Sequence, residues 1–227
     1  MKKRGKIGSI REELKKGDFR VAIFGSARIK RGDPRYKQIK KLARMLGDRG
    51  MDIITGGGSG LMKAANEGHR RGKNGKKSHA IGLSIKLPRD FLLDMPKRGK
   101  ASKNLDVVKK FSRFSDRLDN FMLLSNVIVV APGGVGTLLE FFYSWQLIQV
   151  KQICNIPIIL LGKQWPDLIK WLEKYPLKNR FFEKKDISLL FLAKDCDDAM
   201  KMIDKAYEEF KSGDKHYCLN YKKYKLY

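Results

Sequence analysis

The stretch Val127-Ile128-Val129-Val130-Ala131-Pro132-Gly133-Gly134-Val135-Gly136-Thr137-Leu138-Leu139-Glu140 reads as a strand, a glycine turn and the opening of a helix. Five small or β-branched apolar residues in a row, without alternation, suit a parallel strand buried on both faces. Pro132 ends that strand because it has no N–H to give to a ladder. Gly133, Gly134 and Gly136 carry no Cβ to keep an anion from the backbone amides. From Thr137 to about Val150, the residues Leu138, Phe141, Phe142, Trp145 and Ile148 recur at helical spacing. A helix start carries unpaired N–H groups and a partial positive charge, so phosphate is its natural guest.

Glu140 stands three residues after Thr137, and two roles compete for it. One is a capping box, in which the two side chains satisfy each other's backbone amides. The other is a carboxylate about one helical turn from a bound phosphate, close to the sugar that the phosphate carries. Spacing by itself favours the cap.

The rest of the chain repeats the pattern of strand, glycine turn and helix. A strand over Phe19–Phe24 leads into Gly25-Ser26-Ala27-Arg28. Tyr36, Ile39, Leu42, Ala43, Met45 and Leu46 form the stripe of a first helix. A short strand at Met51–Ile54 runs into Thr55-Gly56-Gly57-Gly58-Ser59-Gly60, with a helix expected from Leu61 to Glu67. Gly68–Ser78 reads as an exposed loop, His79–Ile85 as a third strand and Leu105–Val108 as a fourth. Further elements are expected as a helix over Arg113–Ser125, a strand over Pro157–Leu161, a helix over Asp167–Tyr175, a short strand over Ile187–Ala193 and a closing helix over Asp195–Phe210. Strands alternating with helices point to a doubly wound parallel sheet, α/β in class, with helices on both faces. Sites in such sheets gather at the carboxyl ends of the strands, so the turns at Gly25, Gly56 and Pro132 should converge on one crevice.

Several function classes fall away. Neither glycine run supplies GxGxxG spacing, and the second strand lacks the acidic residue that would hold a ribose, which disfavours a dinucleotide dehydrogenase. The GxxxxGK[ST] pattern of a P-loop is absent. No lysine stands out as a Schiff-base partner for pyridoxal phosphate. Cys154, Cys196 and Cys218 show no paired spacing and are expected as reduced thiols in a cytoplasm. His69, His79 and His216 are scattered, so no metal and no cofactor is expected. No apolar run is long enough to span a bilayer, and no membrane partner is expected.

The run PGGVGTLLE over Pro132–Glu140 resembles the PGGxGTxxE signature of the Lonely Guy family, cytokinin riboside 5′-monophosphate phosphoribohydrolases whose members are often labelled lysine decarboxylase-like. The likeness extends over about residues 20–175. It takes in Phe24–Arg28, Thr55–Met62 with Ala64-Ala65-Asn66, Ile81-Gly82-Leu83, Leu87-Pro88, Arg117, and Pro157–Gly162 with Trp165. The resemblance implies a Rossmann-like nucleotide-binding domain over 18–212, between a basic lead-in at 1–17 and a basic, aromatic tail at 213–227. It implies a nucleoside 5′-monophosphate substrate whose phosphate sits on Gly133, Gly134, Gly136 and Thr137, with Gly25, Ser26, Gly57 and Gly58 alongside. Glu140 and Arg117 would be the catalytic residues, acting at the ribose. The bland role for Arg117 is a surface ion pair with Asp116 or Glu140. Two positions depart from the family: Leu118 replaces a lysine and Leu139 replaces a second acid. The alternative is a nucleotide- or molybdenum-cofactor-binding carrier with little hydrolysis.

Two features concern partners. The formal charge of +25 is spread over ends and loops, as on a lysine-rich solvated surface, with nucleic acid as the competing partner. The helix after Gly136 is apolar almost all round, through Phe141, Phe142, Tyr143, Trp145, Leu147 and Ile148, which implies a homodimer or higher homo-oligomer.

Overall fold

The computed structural model describes residues 10–88, 104–213 and 219–223. Helix α1 (Ile10–Lys15) precedes strand β1 (Arg20–Phe24). Then follow α2 (Pro34–Asp48), β2 (Asp52–Thr55), α3 (Leu61–Gly72), β3 (Ala80–Ile85), β4 (Val107–Phe111), α4 (Phe114–Leu124), β5 (Val127–Val130) and α5 (Val135–Gln149). The chain continues through β6 (Ile158–Leu161), α6 (Trp165–Leu172) with a π-helical turn at Glu173–Leu177, α7 (Lys184–Ile187), β7 (Leu190–Ala193), α8 (Cys196–Lys211) and α9 (Asn220–Lys223).

The seven strands form one sheet in the order β4-β3-β2-β1-β5-β6-β7, and every neighbouring pair is parallel. Succession runs outward from β1 to β4, then restarts beside β1 with β5 and runs the other way. The direction of crossover therefore switches between β1 and β5, where Val21 pairs with Val127 and Phe24 with Val130.

Alternation along the strands sorts the core into two layers. Val21, Ile23, Val127 and Val129 face α2, α3 and α8, through residues such as Leu42, Leu61 and Ile203. Ala22, Phe24, Ile128 and Val130 face α4, α5 and α6, through Phe121, Phe141 and Trp165. Both faces are covered, which is why these strands are continuously apolar. The expected α/β, doubly wound fold is the observed one.

Two differences from expectation have physical reasons. Residues 68–72 are helix, not loop, because Gly68 and Gly72 are packing residues. A Cβ on Gly68 would lie 2.1 Å from the Lys40 carbonyl oxygen, and one on Gly72 would lie 2.1 Å from that of Arg44. Glycine here lets α3 rest directly on the backbone of α2. The fourth strand runs on to Phe111 through Lys109 and Lys110, since an edge strand tolerates lysines that a central one would exclude.

Other expectations meet the limits of the description. Most of the long segment from Lys86 to Asn104, and most of the aromatic tail, lie outside the described residues. Cys154 is disulfide-bonded, against the expectation of reduced thiols; Cys196 is a buried free thiol. No helix among the described residues is long and apolar enough to cross a membrane.

His69, fully buried on α3, donates from Nε2 to the Met51 carbonyl, 2.8 Å away. Burial disfavours the charged ring and pushes its pKa down from 6.5 to about 4. Since the folded value lies below the unfolded one, the neutral ring's contribution is intact above pH 6.5. It is lost as the pH falls through 6.5 towards 4, by about 3 kcal/mol in all. Asp52 has the opposite sign, because burial raises it from 3.8 to about 7, so the two partly cancel in wild-type protein. The His69 contribution is therefore isolated by difference. Urea denaturation of wild type and His69→Gln at pH 7 and pH 4.5 should show the stability gap narrowing, or reversing, at the lower pH. A gap independent of pH would mean that His69 titrates normally.

Candidate active site at the β1–β5 switch

The turn after β1 and the turn after β5 leave adjacent strands at the switch point and are tied together. Ala131 N–H donates to the Phe24 carbonyl, and Ser26 N–H to that of Pro132. The start of α3 joins them, since Leu61 N–H donates to the Ser26 carbonyl at 2.9 Å and the Ser59 hydroxyl to that of Ala27 at 2.8 Å. Gly60 makes this joint possible: its φ is +64°, and a Cβ would lie 2.2 Å from the Ser26 oxygen.

Between these turns lies a cavity of about 430 Å³. Its walls are Gly25–Arg28 from the β1 turn, Met62 from α3, Arg117 from α4, and Gly134–Thr137 with Glu140 from α5. Helix α5 opens on the cavity without a side-chain cap: its N-cap is Gly134, and its first backbone bond is Leu138 N–H to the Gly134 carbonyl. Gly134, Val135 and Gly136 are exposed, so the first turn presents backbone N–H groups and the positive end of the helix dipole to the space.

The expected capping box does not form. The helix begins two residues before Thr137, which places Thr137 inside the first turn and leaves Glu140 without a partner at the cap. Glu140 pairs instead with Arg117, whose Nη2 donates to Oε1 at 2.7 Å. Arg117 also donates from Nε to the Leu83 carbonyl at 2.8 Å and lies over the Phe121 ring. The pair is buried, with Arg117 9% and Glu140 8% exposed, so it is not the surface ion pair of the bland alternative. Burial pushes the Glu140 carboxyl above its usual range, and the guanidinium acts against that rise without cancelling it.

Of the residues predicted from sequence, Gly25, Ser26, Gly134, Gly136, Thr137, Arg117 and Glu140 meet in this one cavity. Gly57, Gly58 and Gly133 are not among its lining residues. Gly57 is buried against Ser84 and Leu105, and Gly58 lies against Met62. Gly133 allows a close approach, since a Cβ there would lie 2.1 Å from the Thr137 hydroxyl oxygen. Arg28 and Met62 line the cavity but were not singled out; they stood inside the quoted motifs, and only the meeting of the turns marks them. Gly56 has a similar hidden role, because a Cβ on it would press on Arg117 Nη2 and Met62 Sδ, both at 2.7 Å. Of the two departures, Leu118 is buried, and Leu139 is 45% exposed and outside the lining.

A search of curated proteins gives no match. Among solved structures, the chain is similar to the molybdenum cofactor binding protein of Rippkaea orientalis, at 17% identity and a TM-score of 0.60, covering 84% of this chain and 98% of that one. It is similar to the Moco carrier protein of Chlamydomonas reinhardtii at 20% identity and a TM-score of 0.60, covering 85% and 99%. DNA processing protein A of Helicobacter pylori is more distant, at 19% identity and a TM-score of 0.51, covering 88% and 85%. These likenesses are in fold. A family model described as "Possible lysine decarboxylase" matches residues 62–203, more than half of the chain and including α3 from Met62 on, Arg117 and the whole of Pro132–Glu140. The chain belongs to this lysine decarboxylase-like family, the one whose signature it shares with the Lonely Guy proteins.

Proposed function

We propose that the cavity binds a nucleoside 5′-monophosphate and that the protein hydrolyses its N-glycosidic bond, releasing free base and ribose 5-phosphate. The observation that carries this is the buried Arg117–Glu140 pair, held in the same cavity as the uncapped start of α5. The phosphate takes the amides of α5, with Gly134, Gly136 and the Thr137 hydroxyl around it and Gly25 and Ser26 opposite, while Gly133 lets the turn close on Thr137. Glu140 lies one turn further along α5, where the ribose attached to that phosphate falls. As the bond to the base breaks, positive charge grows at C1 of the ribose, and a carboxylate there stabilises it or orients the attacking water. Arg117 fixes the carboxylate and counters the negative charge of the ligand. A cavity of about 430 Å³ is within the range of small-ligand sites.

The family description invites a decarboxylase reading, but among the described residues the cavity is lined by no lysine to form a Schiff base. The runner-up is a carrier of a nucleotide or of molybdenum cofactor. Its support is the fold shared with two molybdenum-cofactor proteins, together with leucine at 118 and 139, where the resemblance expects a lysine and an acid.

The two separate in one experiment, incubation with a panel of nucleoside 5′-monophosphates followed by assay of base and ribose 5-phosphate. Release of base from at least one nucleotide is expected; saturable binding without turnover would favour the carrier. Glu140→Gln keeps the shape but removes the charge, and should lower turnover by about 100-fold or more while leaving nucleotide affinity nearly unchanged. Equal rates in variant and wild type would reduce Glu140 to a structural partner of Arg117. Arg117→Ala should lose turnover and some affinity together, with a fall in melting temperature because it strands a buried carboxylate.

Assembly is a second expectation. Phe141, Trp145, Leu147 and Ile148 are covered by their own chain, whereas Val135, Leu139 and Phe142 on α5 remain exposed at 84%, 45% and 37%. A homodimer with this side of α5 near the contact should appear by light scattering at micromolar concentration, and Phe142→Asp should weaken it. A monomer at that concentration would refute it.

A further inference from the structure

At the opposite end of the sheet, four side chains from four separate segments converge. Glu13 comes from α1, Asp18 from the residues before β1, Asp52 from the start of β2, and His79 from the residue before β3. One ligand-capable atom of each lies within 4.8 Å of the others. Register places them together, since Arg20 pairs with Asp52 and Ile53 with Ala80 at the amino ends of three adjacent strands.

Glu13 and Asp52 are 2% and 1% exposed, and each has one buried carboxylate oxygen with no hydrogen-bond partner, Oε2 and Oδ2. His79 Nδ1 and Arg20 Nε are likewise buried and unpartnered. The other oxygens are engaged: Glu13 Oε1 accepts from Lys16, and Asp52 Oδ1 accepts the His79 backbone N–H at 2.7 Å. Arg20 Nε stands 3.7 Å from Asp52 Oδ2, too far for a hydrogen bond. Orphaned buried polar atoms are costly and uncommon, and three of these, the two carboxylate oxygens and the imidazole nitrogen, belong to one cluster and can share a cation. Charge points to its sign. Three carboxylates face two cations, the buried Arg20 and the Lys16 that pairs with Glu13, so the excess favours a cation as the ligand.

We infer that this cluster is a binding site for one divalent transition-metal ion, with Glu13, Asp18, Asp52 and His79 Nδ1 as ligands. An imidazole beside three carboxylates suits Zn²⁺ or Mn²⁺ better than Mg²⁺ or Ca²⁺, which favour all-oxygen shells. The ion ties α1 to the foot of the sheet, and its site is separate from the cavity at the carboxyl ends of the strands. Its presence does not depend on what that cavity does.

The test is isothermal titration of the metal-stripped full-length protein with ZnCl₂ and with MnCl₂, alongside MgCl₂ and CaCl₂, with melting temperature followed in parallel. Uptake of one Zn²⁺ or Mn²⁺ per chain is expected, with a rise in melting temperature and weaker response to Mg²⁺ and Ca²⁺. Asp18 and His79 are partly exposed, so Asp18→Ala and His79→Ala should fold and each should weaken uptake by about ten-fold or more. Absence of stoichiometric uptake of both ions, leaving water as the bridge, would overturn the assignment. So would unchanged affinity in either variant, which would place the bound ion at another site.

Discussion

The pairing of β1 with β5 is the constraint from which the candidate active site follows. These strands are distant in sequence but adjacent in the sheet, and the chain departs from each in the opposite sense. At the carboxyl edge their two turns flank a gap that no side chain among the described residues fills. Backbone bonds across the gap, Ala131 to Phe24 and Ser26 to Pro132, fix its width. The uncapped start of α5 and the Arg117–Glu140 pair have a place to act only because that gap exists.

Electrostatically, the gap holds opposed elements. The start of α5 and Arg117 favour anions, while Glu140 adds a carboxylate within one helical turn. Burial raises the pKa of the Glu140 carboxyl, and the guanidinium at 2.7 Å works against that rise. Breaking such a pair by removing one member costs more than the pair itself contributes, because the remaining charge is left buried. The geometry thus keeps a buried carboxylate paired with a guanidinium close to an anion-attracting helix end.

Local pattern carried the reading of the sheet. Val127–Val130 and Phe19–Phe24 are buried on both faces and advertise it by lacking alternation, and Pro132 with its glycines marks the turn. The misreadings arose where a residue's role is set by a neighbour remote in sequence. Glycines at 68 and 72 resemble a loop until α2 is laid against them. Thr137 and Glu140 have the spacing of a cap, but the helix starts at Val135, and Glu140 has a partner 23 residues earlier. His79 stands apart in the sequence from Glu13, Asp18 and Asp52, which lie on three other segments and come within 4.8 Å of it in the fold. Spacing along the chain has no access to register across strands, and that register brought these groups together.

The contact between α2 and α3 has a mechanical meaning. Three glycines hold it closed: Gly68 and Gly72 on α3, and Gly47 on α2, where a Cβ would lie 2.5 Å from the His69 carbonyl oxygen. Helix α3 is about 18 Å long, with Met62 at the cavity end and Gly72 at the other. At these three positions backbone rests on backbone, so the rear of α3 has no room for an added side chain. A methyl group added at Gly72 would collide with the Arg44 carbonyl. Gly72 is on the same helix that carries Met62 to the cavity and whose first residue, Leu61, bonds the Ser26 turn. The seat of that helix therefore rests on glycines that do not line the cavity.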